Sequence, residues 1–149
     1  GPGVGGNLHT LLRAVARGVP LPVGAVRNRR SLVFVGNLAD AIVRCIESPA
    51  AAGRTFLVDD GEPRSTAQLV SDLARAAGRT PRMLPVPPAL LGRVAGWLGQ
   101  GEAARRLLDD FEVDSGALRR TLGWTPPFSY AEGIDATGRG YRASRAAKV

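Results

Sequence analysis

The sequence predicts an α/β fold of short helices and short strands in a single domain. Two observations carry that expectation. Apolar residues recur at helical spacing in several separate stretches, and compact β-prone runs stand between them. Nineteen Gly and eleven Pro in 149 residues supply the turns that such short elements need. A length near 150 residues favours one domain, and 44% hydrophobic against 22% charged residues is enough to bury a core.

The elements follow in order. Residues 1–6 form a glycine-rich loop, after which Asn7 is expected to cap a helix. Its apolar positions are Leu8, Leu11, Leu12 and Val15, and Gly18 is its stop. Pro20 to Gly24 reads as extended. The basic run Arg27-Asn28-Arg29-Arg30 leads into a strand, Ser31 to Val35. Asn37 then caps a second helix striped by Leu38, Ala41, Ile42, Cys45 and Ile46, which ends before Pro49. Thr55 to Val58 is a strand closed by Asp59-Asp60-Gly61. Ser65 or Thr66 opens a helix that Gly78 stops. Arg82 to Val86 is extended, Ala89 to Leu98 helical, and Glu102 to Leu108 helical. Phe111 to Val113 is extended, and Asp114 or Ser115 caps a turn of helix running to Gly123. A last helix spans Tyr130 to about Tyr141. Residues 142–149 lack periodicity and are expected to be a frayed basic tail, which leaves 1–141 as the domain.

Composition removes several functions. One cysteine, Cys45, and one histidine, His9, cannot build a disulfide framework or a Cys/His zinc site. No apolar run is long enough to span a bilayer, and no secretory layout opens the chain, so a cytoplasmic and at most membrane-associated location is expected. The only methionine is Met83, so the chain is expected to be processed or to be part of something longer. The net charge of +7 favours anionic partners or simply a soluble basic surface. Nucleic acid is not expected, because aromatics are 5% of the chain and none interleaves with the basic run.

The sequence shows no catalytic or metal-binding constellation. No GxGxxG turn joins a strand to a helix, and neither Tyr130 nor Tyr141 has a lysine four residues on. The arginine run has two readings, a pyrophosphate clamp built from guanidinium forks or a solvated basic turn. Asn7 is either a plain cap or part of a helix start that meets an anion. Arg106 and Asp109 offer a phosphate donor and a hydroxyl acceptor on one helix face, or else a surface ion pair. Residues 84–98, apolar around Arg93, pack into a core or rest near a bilayer.

Taken in order, several segments resemble a known family. They are Gly1-Pro2-Gly3 with Asn7-Leu8, then Leu21-Pro22-Val23-Gly24, then Arg30-Ser31-Leu32-Val33-Phe34-Val35-Gly36-Asn37-Leu38-Ala39-Asp40. Thr55-Phe56-Leu57-Val58 and Leu122-Gly123-Trp124-Thr125-Pro126-Pro127 complete the series. Together they resemble the C-terminal, substrate-binding half of extended short-chain dehydrogenase/reductases, in the NAD-dependent nucleotide-sugar epimerase/dehydratase family. Within it the likeness is to UDP-glucose and UDP-N-acetylglucosamine 4-epimerases.

The resemblance implies that the Rossmann cofactor half, the NAD turn and the catalytic tyrosine and lysine lie outside this chain. NAD would then belong to the intact parent enzyme, with none bound by this chain alone. It implies a UDP-linked hexose or N-acetylhexosamine as ligand, or a polyprenyl-diphosphate-linked sugar, in surface-polysaccharide synthesis. Asn7 and Leu8 match the diphosphate-gripping helix start. Leu21, Pro22 and Val23 match the segment that reads the uracil edge, and Arg30 matches the diphosphate arginine. Arg106 and Asp109 match a later pair that holds diphosphate and ribose. Where the family has an aspartate, Asn37 stands, and a weaker cap is expected. Residues 55–58 would join the missing sheet, so a homodimer through that unpaired strand edge is expected. A related reductase or dehydratase, or a non-catalytic nucleotide- or polyanion-binding module, are the alternatives.

Overall fold

Two apolar clusters organise the chain, each assembled by helices whose buried positions recur every three or four residues. The computed structural model describes residues 1–146 and contains seven α-helices among them. They are α1 (Gly6–Ala16), α2 (Val35–Glu47), α3 (Thr66–Ala76), α4 (Pro88–Trp97), α5 (Gly101–Leu108), α6 (Gly116–Leu122) and α7 (Tyr130–Ala146). The first cluster joins Leu12 and Val15 of α1 to Leu69, Val70 and Leu73 of α3, and Val23 and Val26 close it from the loop between α1 and α2. The second joins Ala41 of α2, Leu118 and Leu122 of α6, and Trp124.

α3 is the centre of the first cluster. It is held at its start by a capping box, in which the Ser65 hydroxyl accepts from Gln68 N–H at 3.1 Å and the Gln68 side chain accepts from Ser65 N–H at 2.8 Å. α7 crosses it closely at Gly138, where a Cβ would collide with the Ala76 carbonyl. That same carbonyl accepts from the Arg142 guanidinium. The contact carries α7 past the expected end near Tyr141 to Ala146, so residues 142–146 are helix rather than tail. Residues 147–149 of the expected tail lie outside the described residues.

The expected strands stay extended but form no ladders among the described residues. Three isolated bridges replace them, Leu21 with Met83, Arg30 with Arg64, and Arg30 with Phe111. Residues 55–58 keep a strand's alternation. Phe56 and Val58 pack on the second cluster while Leu57 is exposed, and the backbone groups of 55–58 meet no other backbone among the described residues. The sequence neighbours of this segment are helices, and a sheet needs partners brought from elsewhere.

Two expected caps are corrected. α1 starts at Gly6 with Gly5 before it, so Asn7 sits inside the first turn and caps nothing. α2 starts at Val35, two residues before Asn37. Its start is held from a distance, because both Asp60 carboxylate oxygens accept from Phe34 N–H, at 3.0 and 3.1 Å. A carboxylate there also complements the positive end of the helix.

Asn37 is fully buried and works differently from a cap. Its amide donates to Asp60 at 2.7 Å and to the Phe128 carbonyl at 2.8 Å, and its oxygen accepts from Phe128 N–H at 2.9 Å. The expectation that Asn at this position weakens a cap is therefore wrong here. The amide is the one group of its shape that can both donate to a carboxylate and accept from a backbone N–H. An aspartate at 37 would lose both donated bonds and face the Asp60 carboxylate. Asn37→Asp is expected to destabilise the fold by about 2 kcal/mol or more, read as a lower urea midpoint with an unchanged slope.

Of the two readings of this stretch, neither holds in full for α4, since none of its residues is fully buried yet Leu91 packs against the first cluster. The helix packs against α5 through Gly92 and Gly96 and leaves Leu90, Val94, Trp97 and Leu98 exposed. Among the described residues no helix is long and apolar enough to cross a membrane.

Candidate nucleotide-sugar site

The site begins with Asn28, which sequence reasoning had counted only as part of an arginine run. Backbone alternation along 27–30 points successive side chains to opposite sides. Asn28 is buried, and its amide donates to the carbonyls of Leu107 at 3.1 Å and Asp109 at 3.0 Å. Its oxygen accepts from Thr66 N–H at 2.8 Å, and the Thr66 hydroxyl donates to Leu107 at 2.7 Å. One side chain thus ties the end of α5 to the start of α3.

Arg30 follows on the same side. Its backbone is pinned between two segments, exchanging 3.0 Å hydrogen bonds with Arg64 on one flank while Ser31 N–H donates to Phe111 at 2.8 Å on the other. The guanidinium donates to the carbonyls of Arg106 at 2.5 Å and Asp109 at 3.3 Å. Those carbonyls are the electron-rich end of α5, so the cation is well placed electrostatically. The other two arginines of the run turn away. Arg29 pairs with Glu112 at 2.9 Å, and Arg27 donates back to Gly24 at 3.2 Å. A clamp of three arginines is therefore corrected to a single arginine facing the cavity.

That cavity has a volume of about 520 Å³, and five of the eight expected binding residues line it: Asn7, Leu8, Arg30, Arg106 and Asp109. α1 forms one wall with its first turn, where N–H groups have no helical acceptor. α5 forms the other, with Leu32 and Leu69 as an apolar floor and Phe111 beside them. Arg106 does not pair with Asp109 as the alternative reading held. It pairs with Glu102 one turn back, at 2.6 Å, and both side chains are largely exposed. An exposed pair of this kind is worth little, so an anion entering the cavity can take Arg106 from Glu102 at small cost. Arg105 also lines the space.

Leu21, Pro22 and Val23 are not brought to this cavity. Leu21 spends its N–H on Arg82 and its carbonyl on Leu84, each at 2.9 Å, and Val23 points into the first cluster. Thr66, Glu102, Arg105 and Phe111 were missed from sequence, because each reaches the cavity only by long-range packing. Asn28 carried a signal, as the one uncharged polar residue inside a basic run.

Similarity now bears on this geometry. No protein-family model matches the chain. The chain is 41% identical to a UDP-glucose 4-epimerase of Vibrio cholerae over 142 residues, which is 95% of this chain and 43% of that relative. Over nearly its whole length the chain is thus similar to nucleotide-sugar epimerases of the extended short-chain dehydrogenase/reductases. It corresponds to the C-terminal part of that fold and spans less than half the length of the curated relatives it matches. An Escherichia coli O157:H7 N-acetyl-α-D-glucosaminyl-diphospho-ditrans,octacis-undecaprenol 4-epimerase is 24% identical over 89% of this chain and 43% of its own length. Among solved structures, a Thermus thermophilus UDP-glucose 4-epimerase with NAD has a TM-score of 0.68 at 24% identity, covering 97% of this chain and 44% of its own. A Thermotoga maritima UDP-glucose 4-epimerase with UDP-glucose has a TM-score of 0.67 at 20% identity, covering 97% and 43%. These two share the epimerase-family fold with this chain.

Among the described residues no strand is formed for a dinucleotide-binding turn to join to a helix. Tyr130 is no substitute for a catalytic tyrosine. It is buried, its hydroxyl donates to Asp72 at 3.0 Å, and the Arg64 guanidinium lies 4.5 Å over its ring. Burial first, then the Asp72 carboxylate, pushes its pKa above the ordinary tyrosine value. A proton acceptor near neutral pH needs the opposite shift.

The raised value has a measurable sign. Above about pH 10 an unfolded tyrosine has lost a proton that folded Tyr130 still holds, so its contribution is complete below that pH and is lost as pH rises. Denaturation midpoints measured across this alkaline range are expected to fall with pH, and to fall less steeply in Tyr130→Phe.

Proposed function

We propose that this chain binds the nucleotide diphosphate of a UDP-linked hexose or N-acetylhexosamine, as the substrate-binding part of an NAD-dependent 4-epimerase in surface-polysaccharide synthesis. The observation that carries this reading is the meeting of Asn7, Leu8, Arg30, Arg106 and Asp109 around one cavity, from three separate elements. The α1 start and two guanidinium groups suit a diphosphate, Asp109 suits a ribose hydroxyl, and the Leu32 and Leu69 floor suits the uncharged parts. Binding energy taken from the remote nucleotide positions a sugar for chemistry supplied by the cofactor-binding part of the parent enzyme. The chain is inactive alone on this reading, and acts in the cytoplasm where nucleotide sugars are made.

A polyprenyl-diphosphate-linked sugar is the second reading, favoured by the name of the Escherichia coli relative. The diphosphate contacts would be the same, and uridine recognition would be absent. The missing roles of Leu21, Pro22 and Val23 at the cavity are compatible with either ligand.

Calorimetric titration of UDP and of pyrophosphate separates these possibilities. UDP is expected to bind, with Arg106→Ala weakening it about tenfold, in keeping with about 1.5 kcal/mol for a charge-assisted hydrogen bond. Arg30→Ala is expected to weaken it further, but it also frees the α5 carbonyls, so its thermal midpoint must be recorded beside it. Binding unaffected by both substitutions would remove this cavity from the reading. Equal affinity for UDP and pyrophosphate would favour the lipid-linked ligand.

Exposed Ile42 and Ile46 of α2 line one groove with Phe56 and Val58 of the 55–58 segment, beside the second cluster, and the backbone of 55–58 meets no other backbone among the described residues. In isolation two copies are expected to cover it by pairing. Sedimentation equilibrium is expected to show a dimer that Leu57→Lys disperses; a monomer at all concentrations with a cooperative melt would refute this.

A further inference from the structure

We propose that the outward face of α4 is a docking surface for an anionic lipid bilayer. Leu90, Val94, Trp97 and Leu98 fall within about 100° of the helix circumference, and all four are exposed, Trp97 at 92%. The opposite side of the helix, with Gly92 and Gly96, is the side that α5 covers, so the apolar arc is turned outward by the packing itself. Isolated exposed apolar residues are ordinary on a protein surface, but four on one helix with no buried residue at all are not.

Charge identifies the occupant. Residues Pro88 to Leu98 contain no Asp or Glu, and their one charged side chain is the exposed Arg93. Arg93 borders the apolar arc on α4 itself. An apolar stripe ending in tryptophan, flanked by arginine and free of acid, has the composition of a helix that lies in the plane of a membrane surface. A second copy docked on this face would set Arg93 against Arg93, whereas an acidic headgroup neutralises it. The bare α2 surface differs, since Asp40 and Glu47 lie on that helix.

Trp97 makes the test local. The chain has two tryptophans, and the other, Trp124, is 3% exposed. Vesicles of phosphatidylcholine with about a third phosphatidylglycerol are titrated into the chain, with sedimentation for partition and Trp emission with bromolipid quenching for depth. The expected result is a blue-shifted, quenched Trp97 and a partition coefficient lowered at least tenfold in Val94→Glu and in Leu98→Glu. Neither position is buried, and circular dichroism checks that both variants keep the fold. Ile46→Ser on α2 is expected to leave the Trp97 signal unchanged, and raised salt is expected to weaken binding several-fold. The proposal is overturned if vesicles leave Trp97 unshifted, if both glutamate variants bind as the parent does, or if neutral vesicles bind equally. It is also overturned if the shift appears without lipid and tracks dimer formation.

Discussion

The buried amide of Asn28 is the constraint on which the site depends. It satisfies two carbonyls at the end of α5 and one N–H at the start of α3 with a single planar group. Each bond is worth about 1 kcal/mol net, yet an unmet partner in that position would cost more than the bond contributes. The chain therefore cannot separate α5 from α3 without exposing or orphaning three backbone groups. Arg30, two residues on, inherits its position from that anchor, and α5, tied to α3 through the same amide, is held across from α1, which packs on α3.

A second amide repeats the logic on the other side of the molecule. Asn37 joins α2 to the 128–129 turn and to Asp60, and Asp60 in turn holds the start of α2. The two asparagines serve as rigid couplings where no sheet forms among the described residues to provide them. Where such couplings are lacking, the surface stays bare. α2 keeps an apolar side in solvent, and residues 55–58 keep unpaired backbone, which is the condition expected of a piece whose relatives extend well beyond it. The ligand-facing side and the bare side are thus distinct, one closed by polar ties and the other open.

Much of the helical content was legible from local signals. α3 was marked by Ser65 or Thr66 at its start and Gly78 at its stop, α1 by its leucine period and Gly18, and α6 by Leu122-Gly123, with Gly123 in the left-handed conformation after the last turn. α2 was misjudged at its start, because Val33-Phe34-Val35 looks β-prone and the carboxylate that draws Val35 into the helix lies 26 residues from Phe34. α4 was misjudged in burial. Apolar content reads as core, and no local feature tells which helix will be left facing water. Within the site, family-like order in the sequence pointed to Asn7, Leu8, Arg30, Arg106 and Asp109, which reach the cavity, and to Leu21, Pro22 and Val23, which do not. It could not reveal that Arg29 is spent on Glu112 or that Arg106 is held by Glu102.

The sequence by itself determined the helices, their stops and the chemistry of the candidate residues, because periodicity, caps and side-chain charge act over a few neighbouring positions. Tertiary structure alone decided which arginine faces the cavity, which apolar faces remain uncovered, and that extended segments meet in single bridges instead of ladders. Those outcomes depend on partners 23 to 91 residues away, from Asn37 with Asp60 to Asn37 with Phe128, and a pairing of that kind leaves no imprint on the spacing of the residues around either member.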